Sequence, residues 1–370
     1  MILNDLTKLK NLKEMVDYAA ENYGEIPFLE YKKDGGIEKK TYREFKAACD
    51  SFSRMLIKKG FSMAHTAIIG PTSFEWLTAF FGTANSNGAA IPLAANETDE
   101  MNTKLIAFAD STVFAFDKKH RSLYESVRKN VPSVKLFISL DNTSEDNDVF
   151  NINELLKEHE GEYCGSPDPD EVCAIVFTSG TTGFPKGVMS THKNYVYAAT
   201  SVHVACPTRR MLCCLPIHHS FCFTGNITKS IVKGKTVCVN DSLANLIADL
   251  QLYKPDSILA VPQLVKKIMF GALKFASAHP ELPQEKAVSA FLGGNIIDII
   301  SGGAPLEAAL NDKFNRTGTL VLNGYGMTEC SPVIANNASE CYRHGSVGKP
   351  IPCMEVKLKT ARSLSKGLML

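Results

Sequence analysis

From about residue 40 onward, short apolar runs alternate with segments of helical periodicity, and no other feature of the sequence constrains the fold as strongly. Such alternation predicts an α/β fold, with stacked, mostly parallel sheets and helices on both faces. The residues around Trp76 suit a buried helix, and Leu243, Leu246, Ile247 and Leu250 have the spacing of another. The apolar runs predict strands at residues 89–93, 112–116, 135–140, 172–177, 211–215, 236–239, 257–261, 296–300 and 319–322.

The length of 370 residues exceeds what one simple core usually supports, so two or three packed subdomains are expected. Residues 141–171 are enriched in Asp, Asn, Glu, Gly and Pro, which predicts a surface connection. We therefore expect a first α/β subdomain at residues 1–165, a second at residues 166–358 that carries the ligand loops, and an atypical tail at residues 359–370.

Ligands of open α/β sheets bind at loops that leave the C-terminal ends of strands. The first such loop reads Thr178-Ser-Gly-Thr-Thr-Gly-Phe-Pro-Lys186-Gly187. Small and hydroxylated residues leave backbone N–H groups uncovered for a polyanion, and Lys186 adds a positive charge. The loop differs from a Walker A loop, because Pro185 and Gly187 flank the lysine. A plain surface turn is the alternative interpretation.

This loop resembles the signature of the adenylate-forming superfamily, which includes acyl-CoA synthetases, adenylation domains of peptide synthetases and luciferases. The resemblance covers nearly the whole chain to about residue 358, and it implies the fold of the large N-terminal domain of these enzymes. It also implies that the loop handles the β- and γ-phosphates of ATP and that Lys186 is catalytic. The matching nucleotide-binding positions are Thr178, Ser179, Gly180, Thr181, Thr182 and Gly183.

Two further loops follow predicted strands. Pro305 suits the first turn of a helix that ends near Arg316. By the resemblance, the residues before this helix form one wall of an adenine pocket, and Tyr325 stacks on adenine. Thr328 then contacts the α-phosphate, and Glu329 binds Mg²⁺. The nucleotide-binding residues of these two loops are Gly302, Gly303, Ala304, Pro305, Asn323, Gly324, Tyr325 and Gly326, and Thr328 and Glu329 are predicted to be catalytic.

A further segment, Leu215-Pro-Ile-His-His-Ser-Phe, follows the strand at residues 211–215. The related enzymes carry an aromatic residue or a histidine here, near the carboxylate of the bound acid. His219 aligns best with that position and His218 less well, so both are candidates for the acid pocket. A buried, hydrogen-bonded histidine in the core is the alternative.

The acid is expected to be a fatty acid, because the motifs look most like those of bacterial long-chain fatty acyl-CoA synthetases. Residues 221–227 and 261–265 could supply part of an apolar tunnel, although they could equally be core. The related peptide-synthetase domains hold an amino group with an Asp that has no convincing counterpart here. The implied substrates are ATP, the fatty acid and coenzyme A or a carrier-protein thiol, with Mg²⁺ as cofactor.

The implied reaction forms an acyl-adenylate and pyrophosphate, and coenzyme A then displaces AMP. Two rival functions stay open: a non-catalytic nucleotide- or acyl-binding remnant, and a ligase that loads an aryl or amino acid onto a carrier protein. A formal charge of +1 gives no indication of a nucleic-acid partner. The sequence contains neither a signal peptide nor an apolar run long enough to cross a membrane, and its cysteines are irregularly spaced, so a cytoplasmic protein is expected.

The end of the sequence departs from the pattern of the superfamily. After Lys357 the resemblance fades. Related enzymes carry a Thr-Gly-Asp motif, whose Asp holds the ribose hydroxyls, and this motif does not occur in the sequence. A small mobile domain with a catalytic lysine would follow that motif. The sequence therefore predicts a chain that lacks the small C-terminal domain. Such a chain is expected to bind nucleotide but to be impaired in making acyl-CoA.

Overall fold

The computed structural model describes residues 6, 8–142, 146–178, 183–201, 207–339 and 342–357. Strands and helices alternate along the chain, and the predicted α/β class is confirmed. None of the helices in these ranges is long and apolar enough to cross a membrane.

Each of the nine apolar runs predicted as strands overlaps a strand of the structure, and the described residues contain seven further strands that were not predicted. The strands are β1 (Pro27–Lys33), β2 (Gly36–Thr41), β3 (His65–Ile68), β4 (Ala89–Pro92), β5 (Val113–Phe116), β6 (Leu136–Ser139), β7 (Val149–Asn151), β8 (Val172–Thr178), β9 (Lys186–Thr191), β10 (Arg210–Cys213), β11 (Thr236–Val239), β12 (Ser257–Ala260), β13 (Asp298–Ser301), β14 (Leu320–Gly326), β15 (Val333–Asn336) and β16 (Lys349–Pro350).

Within the described residues these strands form two sheets. The first sheet has the order β7-β6-β5-β3-β4-β8-β9, and the second has the order β16-β15-β14-β13-β12-β10-β11-β1-β2. Neighbouring strands are parallel except in the pairs β1–β2, β8–β9, β14–β15 and β15–β16. The inner strands β4, β5, β6, β11 and β12 are buried along their whole length, which explains why their sequences are continuous apolar runs.

The helices connect the strands and cover the sheets. They are α1 (Leu12–Tyr23), α2 (Tyr42–Lys58), α3 (Phe74–Asn85), α4 (Asp99–Phe108), α5 (Arg121–Asn130), α6 (Ile152–Glu158), α7 (His192–Ser201), α8 (Ser220–Cys222), α9 (Lys229–Lys233), α10 (Leu246–Tyr253), α11 (Pro262–Ala278), α12 (Gln284–Phe291) and α13 (Ala308–Arg316). A π-helical segment, Phe223–Thr228, joins α8 to α9.

Three apolar clusters show that each sheet is covered on both faces. One cluster joins the two sheets, because it includes Ala90 and Val113 from the first sheet and Leu29 and Val237 from the second. Helices α1, α2 and α3 contribute to this shared core. A second cluster packs α10 to α13 on the outer face of the second sheet, and a third packs α4 and α5 on the outer face of the first.

Four local expectations need correction. Strands β1 and β2 precede the region where the sequence pattern becomes regular, and residues 141–171 contain β7 and α6 in addition to the expected connection. Helix α13 begins at Ala308, after Pro305, because Gly303 has a positive φ of 81° and Glu307 is still extended. Strand β14 continues to Gly326 because it pairs with β15, so residues 323–326 are strand rather than loop. The subdomain boundary near residue 165 stays a prediction.

Candidate functional site

The C-terminal parts of β12, β13 and β14 lie side by side, which brings two of the predicted segments together. Ala260 pairs with Ser301, and Ser301 pairs with Asn323. A cavity of about 580 Å³ lies at this edge of the second sheet, between these strand ends and the segment that follows β10. The predicted residues that line it are His219, Gly302, Gly303, Asn323, Gly324, Tyr325, Gly326 and Thr328.

Other predicted residues lie outside the cavity wall. His218, Ala304, Pro305 and Glu329 are neighbours in sequence of lining residues but do not line the cavity themselves. Thr178, Gly183 and Lys186 belong to the first sheet and its turn. Ser179, Gly180, Thr181 and Thr182 lie outside the described residues, as does the tail at residues 359–370. Membership of a sequence motif therefore does not show by itself that a residue borders the cavity.

Two glycines of the wall allow neighbouring groups to pack closely against the backbone. A Cβ atom at Gly302 would lie 2.7 Å from Cζ of Phe221, so the ring of Phe221 packs directly over this backbone. A Cβ atom at Gly326 would lie 1.7 Å from the carbonyl oxygen of Pro332. Tyr325, immediately before it, has 49% of its surface exposed. One aromatic face is thus available beside bare backbone, an arrangement that suits a flat heterocycle.

A hydrogen bond joins two walls of the cavity. Thr328 begins the short 3₁₀ helix Thr328–Cys330, and its Oγ1 lies 3.0 Å from Oγ of Ser220. Glu329 is exposed on the same turn, and burial together with Glu329 raises the pKa of the Cys330 thiol. The turn thus presents a hydroxyl toward the cavity and a carboxylate toward its outside.

The first sheet meets this turn through its edge strand. Lys186 begins β9 and pairs with Thr178 across the antiparallel ladder, with its side chain exposed. Strand β9 packs against the turn Thr328–Cys330. Gly183 has a φ of 115°, a conformation that favours glycine. Lys186 and Glu329 therefore belong to adjoining elements, although they come from different sheets.

The two histidines differ in environment. Their ring centroids are 4.2 Å apart. Burial lowers the pKa of His218 to about 4, with a further contribution from His219, and burial also lowers the pKa of His219. Nε2 of His218 is buried without a hydrogen-bond partner among the described residues, whereas His219 is exposed beside the cavity that it lines. Both rings are expected to be neutral at pH 7.

Part of the predicted apolar tunnel does border the cavity. Phe221, Cys222, Thr224, Gly225, Val261 and Leu264 line it, whereas Ile227 and Val265 are fully buried in the apolar clusters. Several lining residues were missed by sequence reasoning, among them Ser220, Lys229, Asn336 and Asn337. Ser220 directly follows His219, and that position is the signal that could have indicated it.

The described residues contain no cluster of three or more His, Cys, Asp or Glu side chains that could hold a metal ion. A single carboxylate such as Glu329 is compatible with Mg²⁺, which often binds one or two protein carboxylates together with substrate phosphates. A metal site here would thus need a bound phosphate to complete it.

Comparison with known proteins gives a consistent result. The family model described as AMP-binding enzyme matches residues 16–366. The chain is 25% identical to long-chain-fatty-acid–CoA ligase 1 of Homo sapiens, over 88% of this chain and 54% of the relative. It thus spans about half the length of that relative.

Solved structures show the same fold. The crystal structure of the anthranilate CoA ligase AuaEII in complex with anthranoyl-AMP superimposes with a TM-score of 0.83 at 19% identity, covering 98% of this chain and 68% of that one. The N-terminal domain of FACL13 from Mycobacterium tuberculosis gives a TM-score of 0.73 at 21% identity, covering 93% and 83%.

Proposed function

This chain belongs to the family of AMP-binding enzymes, and we propose that it binds ATP and a fatty acid and activates the carboxylate of that acid. The proposed reaction forms an acyl-adenylate and pyrophosphate, and the acyl group then passes to the thiol of coenzyme A. One observation carries the proposal: a single cavity borders both the strand ends with the nucleotide motifs and an apolar wall around Phe221 and Leu264.

The adenosine part of the nucleotide is assigned to the strand ends. The ring of Tyr325 would stack on adenine, and the backbone at Gly302 and Gly303 would form the opposite wall. This assignment is supported by the exposure of Tyr325 and by the absence of Cβ atoms at the two glycines, all three of which line the cavity.

The phosphates are assigned to the junction between the two sheets. Lys186 on β9 would approach the outer phosphates, and Thr328 would donate a hydrogen bond to the α-phosphate. Glu329 would hold Mg²⁺, which when bound neutralises phosphate charge. The packing of β9 against the turn Thr328–Cys330 supports this assignment, because it places the two charged side chains on neighbouring elements.

The acid is assigned to the apolar part of the cavity. His219 would lie near its carboxylate, and the chain of the acid would contact Phe221, Val261 and Leu264. Among the described residues, the cavity wall contains no Asp or Glu. An ammonium group would lack a carboxylate partner there, and burying an unpaired charge is costly. The wall therefore favours an acid without a positive charge.

The chemistry needs positioning and charge neutralisation rather than a protein nucleophile. A carboxylate oxygen of the acid bonds to the α-phosphorus, and the bond to the leaving pyrophosphate breaks. In the second step the sulfur of coenzyme A bonds to the acyl carbon, AMP leaves, and the thiol proton is released. Lys186 and Thr328 would act in the first step by stabilising charge on the phosphate oxygens.

The decisive experiment is isotope exchange between pyrophosphate and ATP with separate panels of fatty, aryl and amino acids. We expect exchange with fatty acids. Exchange with aryl acids alone would favour an aryl ligase, a function suggested by the similarity to the anthranilate ligase structure. Binding of nucleotide without exchange for any acid would favour a non-catalytic binding protein.

Direct titration of Mg-ATP tests the phosphate assignment separately. Lys186→Ala and Glu329→Ala should each weaken binding by about tenfold, since a hydrogen bond to a charged group contributes roughly 1.5–3 kcal/mol. Lys119→Ala and Glu281→Ala, which remove exposed charges elsewhere on the chain, are the matched controls. Equal affinities for all five proteins would refute the assignment.

A further inference from the structure

Two hydroxyl groups from distant parts of the sequence meet at the cavity. Oγ of Ser220, at the start of α8, lies 3.0 Å from Oγ1 of Thr328, and 108 positions separate the two residues. Both residues line the cavity, Ser220 on the wall assigned to the acid and Thr328 on the wall assigned to the nucleotide. This bond therefore links the two halves of the proposed substrate site.

The pairing fixes how the two hydroxyl protons can be used. Each hydroxyl carries one proton and two lone pairs, so one member of the pair donates to the other. The structure gives neither hydroxyl another hydrogen-bond partner among the described residues. When Ser220 donates to Thr328, the proton of Thr328 is left to point at a ligand. Donation along such a chain also polarises the outer O–H group and strengthens its bond to an anion.

We propose that Ser220 is a positioning residue for Thr328, and that the two hydroxyls act as one unit that directs an O–H donor at the phosphate of an adenine nucleotide. The proposal rests on the proposed function, because it assumes that Thr328 contacts the phosphate. Ser220 need not touch the nucleotide itself. Its effect is to hold the Thr328 hydroxyl in the donating orientation before the ligand binds.

A merely structural bond would have a different consequence. If Ser220 only tied α8 to the turn Thr328–Cys330, its loss would disturb the whole cavity and weaken every ligand alike. If it orients one donor, its loss affects only ligands that carry a phosphate. AMP and adenosine differ by that single group, so the ratio of their affinities separates the two cases.

The experiment compares AMP and adenosine binding by calorimetry for the wild type, Ser220→Ala, Thr328→Ala and the double variant. We expect Ser220→Ala to weaken AMP binding by about fivefold to tenfold, because the Thr328 hydroxyl is no longer held in the orientation that donates to the charged phosphate, and to leave adenosine binding unchanged. Thr328→Ala should lose at least as much affinity. The double variant should match Thr328→Ala, since a residue that acts through another adds nothing once its partner is gone.

Two further variants keep the test decisive. Ser220→Thr retains the hydroxyl and should restore most of the AMP affinity. Ser230→Ala removes a buried hydroxyl that contacts Sδ of Met211, away from the cavity, and should behave as the wild type does. Equal losses for AMP and adenosine, or additive losses in the double variant, would overturn the inference while leaving the proposed function intact. A wild-type chain that binds neither ligand would overturn both.

Discussion

In both sheets the chain adds strands toward both edges, so each sheet has a point where the strand order reverses. The two reversal points differ in how much of the space beside them is occupied by side chains. In the first sheet the reversal lies between β3 and β5, and in the second it lies between β10 and β12. Ligands of open α/β sheets bind at such points, outside the C-terminal ends of the strands. The cavity lies at the second point, where residues that follow β10 and β12 form part of its wall.

At the first point, side chains occupy the corresponding space. A Cβ atom at Gly70, just after β3, would lie 3.6 Å from Leu140 and 3.7 Å from Asp117. Asp117 follows β5, is buried, and pairs with His120. The comparison teaches that topology provides a crevice in both sheets, whereas side-chain size decides whether the crevice is available to a ligand. Four predictions test this interpretation.

The largest effect is expected from shortening a leucine at each reversal point. Leu140→Ala should reduce the free energy of unfolding by about 2–5 kcal/mol, because Leu140 is enclosed and its loss creates a void. Leu264→Ala should cost about half as much, because Leu264 already borders a cavity. Urea unfolding measures both. Equal losses would show that the two points are equally well packed and would contradict the comparison.

A pair of glycine substitutions should separate binding from stability. Gly302→Ala forces a contact of 2.7 Å with Phe221, so the ring must move, and we expect about tenfold weaker AMP binding with little loss of stability. Gly70→Ala has room for its Cβ atom, but φ at this position is 153°. It should lower stability by about 1–3 kcal/mol through backbone strain.

The readouts for this pair are AMP titration and urea unfolding on the same samples. The comparison predicts opposite outcomes at the two positions: affinity changes at Gly302 and stability changes at Gly70. If Gly70→Ala weakened AMP binding as strongly as Gly302→Ala does, the first crevice would have to take part in nucleotide binding.

A smaller effect concerns pH. His218 has an ordinary pKa of 6.5 when unfolded and about 4 in the fold, because burial disfavours its charged form. Between these values the unfolded chain binds a proton that the folded chain does not, so stability is full above pH 6.5 and falls as pH approaches 4. Between neutral pH and about pH 5, the free energy of unfolding of His218→Gln should therefore fall by about 1 kcal/mol less than that of the wild type. Parallel unfolding profiles for the two proteins would contradict it.

The elements of the fold were predicted wherever the sequence pattern reflects burial. Strands such as β5 and β11 are buried throughout and read as apolar runs. Strand β1 was missed because Glu30 interrupts its apolar pattern. Glu30 is only 2% exposed, yet its carboxylate is paired with Arg210, a partner 180 positions away. Pairing across that distance leaves no trace in local periodicity.

The site shows the same limit more clearly. Motifs indicated Tyr325, Thr328 and the glycines, because those residue types stand at fixed spacing along one stretch of chain. They ranked His219, which lines the cavity, above His218, which does not, but kept both as candidates for the acid pocket. The bond between Ser220 and Thr328 depends on how β10 and β14 are placed in the sheet. Contacts of this kind follow from tertiary packing and require a structure.

The smallest effect is expected where the first sheet reaches the site. Phe108 at the end of α4 is 63% exposed, and its ring contacts one aromatic residue before the predicted phosphate loop and one within it. The centroid distances are 6.2 Å to Phe177, which precedes the loop, and 5.3 Å to Phe184, which follows its first glycines. These contacts restrain Phe184, which precedes Lys186 by two positions in the sequence. The first sheet thus meets the predicted phosphate loop at this edge, although its own crevice is filled.

Phe108→Ala should therefore free the start of β9 without unfolding the chain. Trypsin cuts after Lys186 only when that strand end leaves its pairing with Thr178, and the rate of cutting reports how often this opening occurs. Each aromatic pair contributes about 0.5–1.5 kcal/mol, so cleavage should become about fivefold faster, and Phe108→Leu should restore part of the protection. Phe150→Ala is the control, because Phe150 is also an exposed aromatic residue and lies on β7, at the opposite edge of the same sheet. Equal acceleration in both variants would mean that any exposed aromatic stabilises this sheet, and the specific link from Phe108 to Lys186 would be wrong.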